Sequence, residues 1–302
     1  MCGAVSGVLE MINVVWDMET GDPDDFLTLL LLLGHPKVNL KAVTITPGTP
    51  DQVGLVRAAL AWFERDIPVG AYHIKHNKSC VSWWHYKVYG EIPPSVEAEP
   101  AAKILLEYCD KETTLITGGP LKNLGAAIAL AKADKHNFQI GRLVAQGGFA
   151  GEGVVPADIQ LPKFKGMVTC ATYNFNGDPY SALATLNYQG IGTRRFVSKN
   201  VCHRVIYDLA MHEVLRGVKD KSQSLALIYQ GMDAYLNKRP RGKKFHDPLT
   251  ACCAIDESIG TWAEVELYRK GGKWGARLSP GSKTWIITDY NHDKFVATLT
   301  AT

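Results

Sequence analysis

Asp17, Glu19, Asp22, Asp24 and Asp25 fall within nine positions of the segment VVWDMETGDPDDF, residues 14–26. Carboxylates crowded this closely repel one another and call for a positive partner. Oxygen atoms from separated turns, joined by a backbone carbonyl, suit a hard cation such as Ca²⁺, with Mg²⁺ as the smaller alternative. Carboxyl groups outnumber soft donors and no His/Cys ligand spacing accompanies them, which argues against zinc. A second chemical segment lies far downstream, where His246-Asp247-Pro248 opens a helical pattern in KKFHDPLTA. The competing explanation is local: Asp caps the exposed N–H groups of a helix and meets its positive dipole end. Capping accounts for two or three of these acids but strains at five.

The elements that must position them alternate regularly. MINVVWD reads as a buried strand, and PDDFLTLLLLLGHP as a helix starting at Asp24/Asp25 and stopped by Gly34-His35-Pro36. NLKAVTITPG is the next strand, and DQVGLVRAALAWFER the next helix, with Asp51 as its expected cap. IPVGAY, TTLITGG and QIGRLVAQGG supply further strands, separated by EPAAKILLEYC and PLKNLGAAIALAKA. This order predicts an α/β fold: a single-domain, open, mostly parallel Rossmann-like sheet with helices on both faces, spanning 1–302. GTWAEVELYRKGGKWGARL and TWIITDY read as C-terminal β decoration. Ligands of open parallel sheets sit beyond the carboxyl ends of the strands. The turns at 17–25, 46–51 (TPGTPD) and 117–123 (TGGPLKN) are therefore expected to open on one crevice.

Composition narrows the partners. A formal net charge of +3 on 302 residues gives no global field for nucleic acid or a membrane surface. The longest apolar run, Phe26 to Leu33, is far short of the roughly 20 residues that span a bilayer. The N-terminus has neither a basic start nor a long apolar stretch, so no signal peptide is expected. Seven cysteines (Cys2, Cys80, Cys109, Cys170, Cys202, Cys252, Cys253) are scattered without a C-x-x-C pair, which favours reduced thiols and a cytoplasmic setting.

Four blocks resemble the inosine–uridine nucleoside hydrolase family. Asp17-Met18-Glu19-Thr20-Gly21 with Asp24-Asp25 is similar to its D-x-D-x-G-x-D-D fingerprint. TGGPLKNLGAA (117–127) is similar to its T-G-P-L-T-N turn, YNFNGDP (173–179) to its E-F-N-x-x-x-D-P segment, and FHDPLTA (245–251) to its H-D-P helix start. AEVEL (263–267) also resembles the family's late strand, and the blocks follow family order along nearly the whole chain.

The resemblance implies a Ca²⁺-dependent N-ribohydrolase that splits ribose from a nucleobase, assembled as a homodimer or homotetramer. Carried over by position, Asp25 and Asp247 would ligate the ion beside the Gly118 carbonyl, whose side chain would be immaterial. Asp17 and either Glu19 or Asp22 would complete the acidic set. Asp24 would be the general base and His246 the acid for the departing base. Asn174, with Asn176 and Asp178 of the same segment, would hold the ribose. The residue types suit an oxocarbenium-like transition state, with a carboxylate taking a proton from water and an imidazole giving one.

This chain departs from the family pattern in three places. GDPDD carries one inserted residue, so Glu19 or Asp22 stands in for an Asp ligand. Thr49 occupies the place of an Asn beside the ribose, and Thr172 that of a Glu at the sugar's 5′ side. Lys238, Arg239, Arg241, Lys243 and Lys244 crowd the run before His246. A missing acid and added cations would suit a 5′-phosphate, with Arg239 and Arg241 as its expected contacts. The pattern resembles a divergent branch that includes nucleoside-hydrolase-like effectors associated with ADP-ribose-type ligands. In SCVSWWHYKVYG (79–90), Trp83, Trp84, Tyr86 and Tyr89 are candidates for stacking on a base, with His85 beside them, as in a mobile flap, and Tyr229 and Tyr235 are weaker ones. GGFAGEG (147–153) lacks the Lys-Ser/Thr ending of a phosphate loop. Two rival readings stand beside the hydrolase. A dehalogenase-type phosphatase would use Asp17 as nucleophile, but needs Asp where Glu19 stands. A non-hydrolytic protein would keep the ion and capture a ribonucleotide or ADP-ribose.

Overall fold

The computed structural model describes residues 11–76 and 80–302. Cys2, the N-terminal decade and Ser79 lie outside the described residues. The strands are β1 (Ile12–Met18), β2 (Val38–Ile45), β3 (Val69–Ala71), β4 (Glu99–Pro100), β5 (Thr113–Thr117), β6 (Ile140–Gln146), β7 (Thr169–Cys170), β8 (Ile191–Val197), β9 (Ile206–Tyr207), β10 (Lys243–Lys244), β11 (Gly260–Lys270), β12 (Lys273–Leu278) and β13 (Thr284–Tyr290). The helices are α1 (Pro23–Gly34), α2 (Pro50–Trp62), α3 (Trp83–Tyr89), α4 (Ala101–Tyr108), α5 (Lys122–Ala133) and α6 (Tyr173–Gly177). After them come α7 (Pro179–Asn187), α8 (Lys199–Cys202), α9 (Leu209–Arg216), α10 (Gln223–Leu236), α11 (His246–Ile255) and α12 (His292–Leu299).

Eleven strands form one sheet in the order β4-β3-β2-β1-β5-β6-β8-β13-β11-β12-β7. Pairing is parallel from β4 through β8 to β13 and antiparallel through β11, β12 and β7. The expected α/β architecture is therefore present. The hairpin β11–β12 is antiparallel as expected, but TWIITDY is no appendage: β13 pairs in parallel with β8 and carries the central sheet on to the hairpin.

Strand alternation sorts the core into two layers. On β1, Val14, Trp16 and Met18 face a layer with Phe26–Leu33 of α1 and with α10 and α11, while Val15 faces α4 and α5. The run of leucines in α1 is apolar all round because the helix is covered all round, by β1, α10 and α11. Pro23 sits in the first turn of α1, where its missing N–H costs nothing. The cap of α2 is Thr49 rather than Asp51, through a reciprocal capping box with Gln52. Cys109, Cys202, Cys252 and Cys253 are buried thiols. Among the described residues, no helix is long and apolar enough to cross a membrane.

Candidate active site

The loops after β1, β5, β6 and β8 and the start of α11 converge on a cavity of about 440 Å³. Its acidic side is Glu19, Asp22, Asp24, Asp25 and Asp247, beside Gly118. Carboxylate oxygens of Asp24, Asp25 and Asp247 lie within 4.8 Å of one another. Asp25 Oδ1 accepts the Glu19 backbone N–H at 3.0 Å, whereas the buried Oδ1 of Asp247 has no hydrogen-bond partner. Burial, then the Asp247 carboxylate, then Glu19, hold the pKa of Asp25 well above the ordinary range. Burial and the charge of Asp24 do the same to Asp247. Burial, then Asp24 and Asp22, push Glu19 up to about 7. These groups are ionised only at a cost while no cation stands among them.

Part of the missing positive charge is Lys243. Its Nζ donates to Asp24 Oδ1 at 2.9 Å and to Asp22 Oδ2 at 3.0 Å, with only 5% of its side chain exposed. The other oxygen of Asp24 accepts the backbone N–H groups of His246 (3.1 Å) and Asp247 (3.4 Å). The N-cap of α11, Phe245, has no side chain that can cap, so Asp24 caps that helix from α1. Burial alone would raise the pKa of Asp24, but Lys243, then His246 and the hydrogen bonds, carry it below the ordinary value. With both oxygens engaged and the charge held, Asp24 is poorly placed to accept a proton, against the base role expected for it. Glu19 is the acid with a free disposition toward the cavity. It also lies among the carboxylates that perturb both Asp25 and Asp247, which favours it over Asp22 as their companion.

Gly118 is more than a carbonyl. A Cβ placed there would meet the buried Trp16 ring at 2.6 Å and Oδ1 of both Asp25 and Asp247 at 2.9 Å. Its side chain is therefore not immaterial: the carboxylates converge on space that only glycine leaves. Asn174, 3% exposed, donates its amide toward Gly118 O (2.7 Å), Gln146 O (3.0 Å) and Gln146 Oε1 (2.7 Å). Its Oδ1 accepts no hydrogen bond among the described residues, and Asn174 lines the cavity, which leaves that oxygen open to a ligand. His246 lines the cavity with its ring stacked on His203 at 5.0 Å, and its buried Nε2 lacks a partner. Burial pushes His246 down to about 4, with nearby lysines adding to the effect, so the imidazole is neutral near pH 7.

Several expected site residues are elsewhere. Asp17 is fully buried behind the cavity, where Thr44 Oγ1 and Asn123 Nδ2 each donate to its Oδ1 at 2.6 Å. It braces β1 against β2 and α5 and is not with the converging oxygens. Thr49 is spent on its capping box. Asp178 caps α7 through Ser181, and Asn176 ties α6 to Gly272 while lining a neighbouring cavity. His85 is fully buried against Phe26 and Trp84, and Tyr229 stacks on His212 at 4.3 Å, so neither meets a base here. The aromatic segment is packing: Trp84 and His85 are sealed in the core, and Tyr89 donates to Leu227 O. Trp83, 58% exposed, lies under Lys238 in a side cavity with Tyr235 and Arg239. Arg241 is exposed and lines neither the main nor the side cavity. The 46–51 turn opens on a second cavity of about 720 Å³, which shares Glu19, Gly21 and Tyr173 with the first.

Sequence reasoning passed over Tyr173, Gln146, Lys199, His203 and the pairing of Lys243. Tyr173, 73% exposed at the junction of the two cavities, stood inside a quoted motif and could have been found there. Nothing in the local sequence marks Lys199 or His203.

The model of the inosine-uridine preferring nucleoside hydrolase family matches residues 14–297. An uncharacterized protein of Aquifex aeolicus (strain VF5) is 28% identical over 289 residues, covering 92% of this chain and 94% of that one. The pyrimidine-specific ribonucleoside hydrolase RihA of Shewanella sp. (strain MR-4) is 30% identical over 156 residues, 46% of this chain and 48% of that enzyme. The solved structure of a plant nucleoside hydrolase, the PpNRh1 enzyme, superposes with a TM-score of 0.70 at 19% identity, covering 96% of this chain and 98% of that one. The chain belongs to the inosine-uridine preferring nucleoside hydrolase family.

Proposed function

We propose that this protein hydrolyses the N-glycosidic bond of ribonucleosides, releasing ribose and free base, with calcium as its resident cation. The observation that carries the reading is the convergence of the Asp24, Asp25 and Asp247 carboxylates, with Glu19 and Gly118 lining the same cavity and a buried Asp247 oxygen left without a donor. The donors at this end of the cavity are all oxygen, and Lys243 pairs with only two of the five carboxylates, so a hard divalent cation fits the set. Asp25, Asp247, Glu19 and the Gly118 carbonyl would hold it. Such a cation supplies charge compensation and acidifies the water it touches.

The chain's own residues do the rest. Glu19, which lines the cavity, accepts the proton of the attacking water. Asp24 is a positioning residue: it clamps the N–H groups of His246 and Asp247 and so fixes both side chains. Asn174 Oδ1 accepts from a ribose hydroxyl. His246 serves as a neutral hydrogen-bond donor to the departing base rather than as an imidazolium. Tyr173 at the rim offers a ring face to the base.

The Lys243–Asp24 ion pair favours one second reading, ligand capture without turnover, because it removes a carboxylate from proton transfer. The test is incubation with inosine and uridine in calcium or in chelator, following free base by chromatography. Calcium-dependent release of base supports hydrolysis. Tight binding with no release over many hours supports capture, and neither binding nor release overturns both.

A further inference from the structure

The cavity has a second, cationic end. Lys199 and His203 line it together with Thr172 and Asn174. The Lys199 ammonium is pinned to Ala171 O at 2.8 Å, which sets it beside the next residue, Thr172. Thr172 is 4% exposed, and its buried hydroxyl has no hydrogen-bond partner. The Lys163 ammonium lies 2.7 Å from His203 Nδ1. Lys163 and Lys199 flank the same ring, with their ammoniums 4.9 and 5.9 Å from the Phe164 centroid. The charge of Lys244 reaches His203, His246 and Lys163.

Among the described residues, none of these three lysines forms an ion pair, although their neighbour Lys243 is fully paired. Like charges gathered without an anion are unfavourable, and the depressed pKa of Lys163, caused by burial and by Lys244 and Lys199, reflects that. The acids follow β1 and Lys199 follows β8, with β5 and β6 between them. That is three strand spacings, roughly 14 Å, a gap that two side chains and a phosphorylated sugar can bridge.

We infer that Lys199 and the Thr172 hydroxyl, which line the cavity, with Lys163 and Lys244 adding positive charge around His203, are a subsite for a phosphoryl group carried by the riboside. One lining ammonium, a buried hydroxyl and two lysines close behind suit the oxygens and charge of a phosphate, and the acids at the far end match the ribose diol and its cation. This moves phosphate recognition away from Arg239 and Arg241. Arg239 bonds Tyr235 in the side cavity, and Arg241 stands clear of both. The inference rests on the riboside reading for the orientation of the ligand.

The test compares ribose 5-phosphate with ribose by calorimetric titration of the calcium-loaded protein, at low and at raised salt. The same is done for the variant Lys163→Gln/Lys199→Gln. In parallel, uridine, uridine 5′-monophosphate and ADP-ribose are compared as substrates. Ribose 5-phosphate should bind at least about tenfold more tightly than ribose, with the gap narrowing in salt and closing in the variant. Competition by ADP-ribose would assign the subsite to an esterified diphosphate, and its failure to compete would assign a terminal monoester. Equal binding of the two sugars, or a gap that survives in the variant, overturns the inference. Phosphate preference without cleavage of any riboside would sink the hydrolase reading and leave the subsite standing. Cleavage of uridine without phosphate preference would do the reverse.

Discussion

Replacing Lys243 by methionine tests how the acidic cluster is held together. Lys243 and Asp24 are 5% and 2% exposed at the side chain and meet at 2.9 Å, so water does little to screen either charge. Removing the ammonium leaves Asp24 buried and unpaired, and breaking one side of such a pair costs about 3–5 kcal/mol. Asp22, 53% exposed, adds little to that figure. For a chain of 302 residues the unfolding entropy is about 0.6 kcal/mol per kelvin, so the expected fall in Tm is about 5–8 °C. Calorimetry in chelator, with no cation to stand in for the lysine, is the assay. Asp24→Asn added to Lys243→Met should recover more than half of the loss. The amide oxygen can still accept from His246 and Asp247 while the orphan charge is gone. A fall below about 2 °C for the single variant, or strictly additive losses in the double one, would show that the pair is not what stabilises this crevice.

Calcium should raise Tm by about 4 °C at a hundredfold excess over its Kd. The rise should be larger at pH 8 than at pH 5. Asp17 and Glu19 are both lifted to about 7 from 3.8 and 4.5, so the folded chain binds their protons more tightly than the unfolded one. Their contribution is full below the unfolded values and lost as pH rises through about 7, and calcium offsets the part that falls on Glu19; a calcium effect independent of pH would contradict this. Glu19→Gln should lower kcat by about 10² to 10⁴ while calorimetry still detects ribose binding, and unchanged turnover would remove Glu19 as the base. Gly118→Ala should weaken calcium binding and cost about 1–3 kcal/mol in stability, because its Cβ meets Trp16 and both carboxylates, and a silent substitution would refute that crowding.

What was legible in the sequence was whatever depends on local pattern. Continuous apolar runs marked β1, β2, β5 and β6, and the sequence reading of α1, from Asp24/Asp25 to Gly34, falls one residue short of its start at Pro23. Asp25 and Gly118 come together because the ends of the parallel strands β1 and β5 share one edge of the sheet, a topological rule that needs no side-chain detail, and the start of α11 brings Asp247 to them. Legibility stopped where a side chain chooses among distant partners. The basic run reads as one patch, yet Lys243 turns inward to Asp24, Arg239 bonds Tyr235, and Lys244 stays at the surface. Thr49 and Asp178 are polar residues near a site whose atoms are used up in helix capping, which their types also predict. In the aromatic segment, Trp84, His85 and Tyr89 follow helical spacing onto Phe26 and α10, so packing wins over ligand contact.

The five acids of residues 17–25 are met in three different ways. Asp17 is answered by two neutral donors, Thr44 and Asn123, and is withdrawn from the cavity. Asp22 and Asp24 share Lys243, a charge built into the chain that cannot leave. Glu19 and Asp25, with Asp247, form no ion pair among the described residues, Glu19 and Asp247 feeling only the more distant charges of Lys122 and Lys243, and are groups whose pKa values are driven upward. A permanent cation suits the residues that clamp α11, because that clamp must persist whether or not the site is loaded. An exchangeable cation suits the residues that face the ligand, because their charge then becomes available only when the site is loaded. The residue inserted in GDPDD belongs to this division. Asp22 follows Gly21 at the mouth of the cavity, half exposed, and receives the second hydrogen bond of Lys243. Deleting Asp22 would therefore leave the lysine with Asp24 alone and draw it deeper toward the cation's position, where the two positive charges compete. Calcium affinity should fall in that deletion and be restored when Lys243→Met is added, and an affinity indifferent to both changes would mean that lysine and cation occupy independent places.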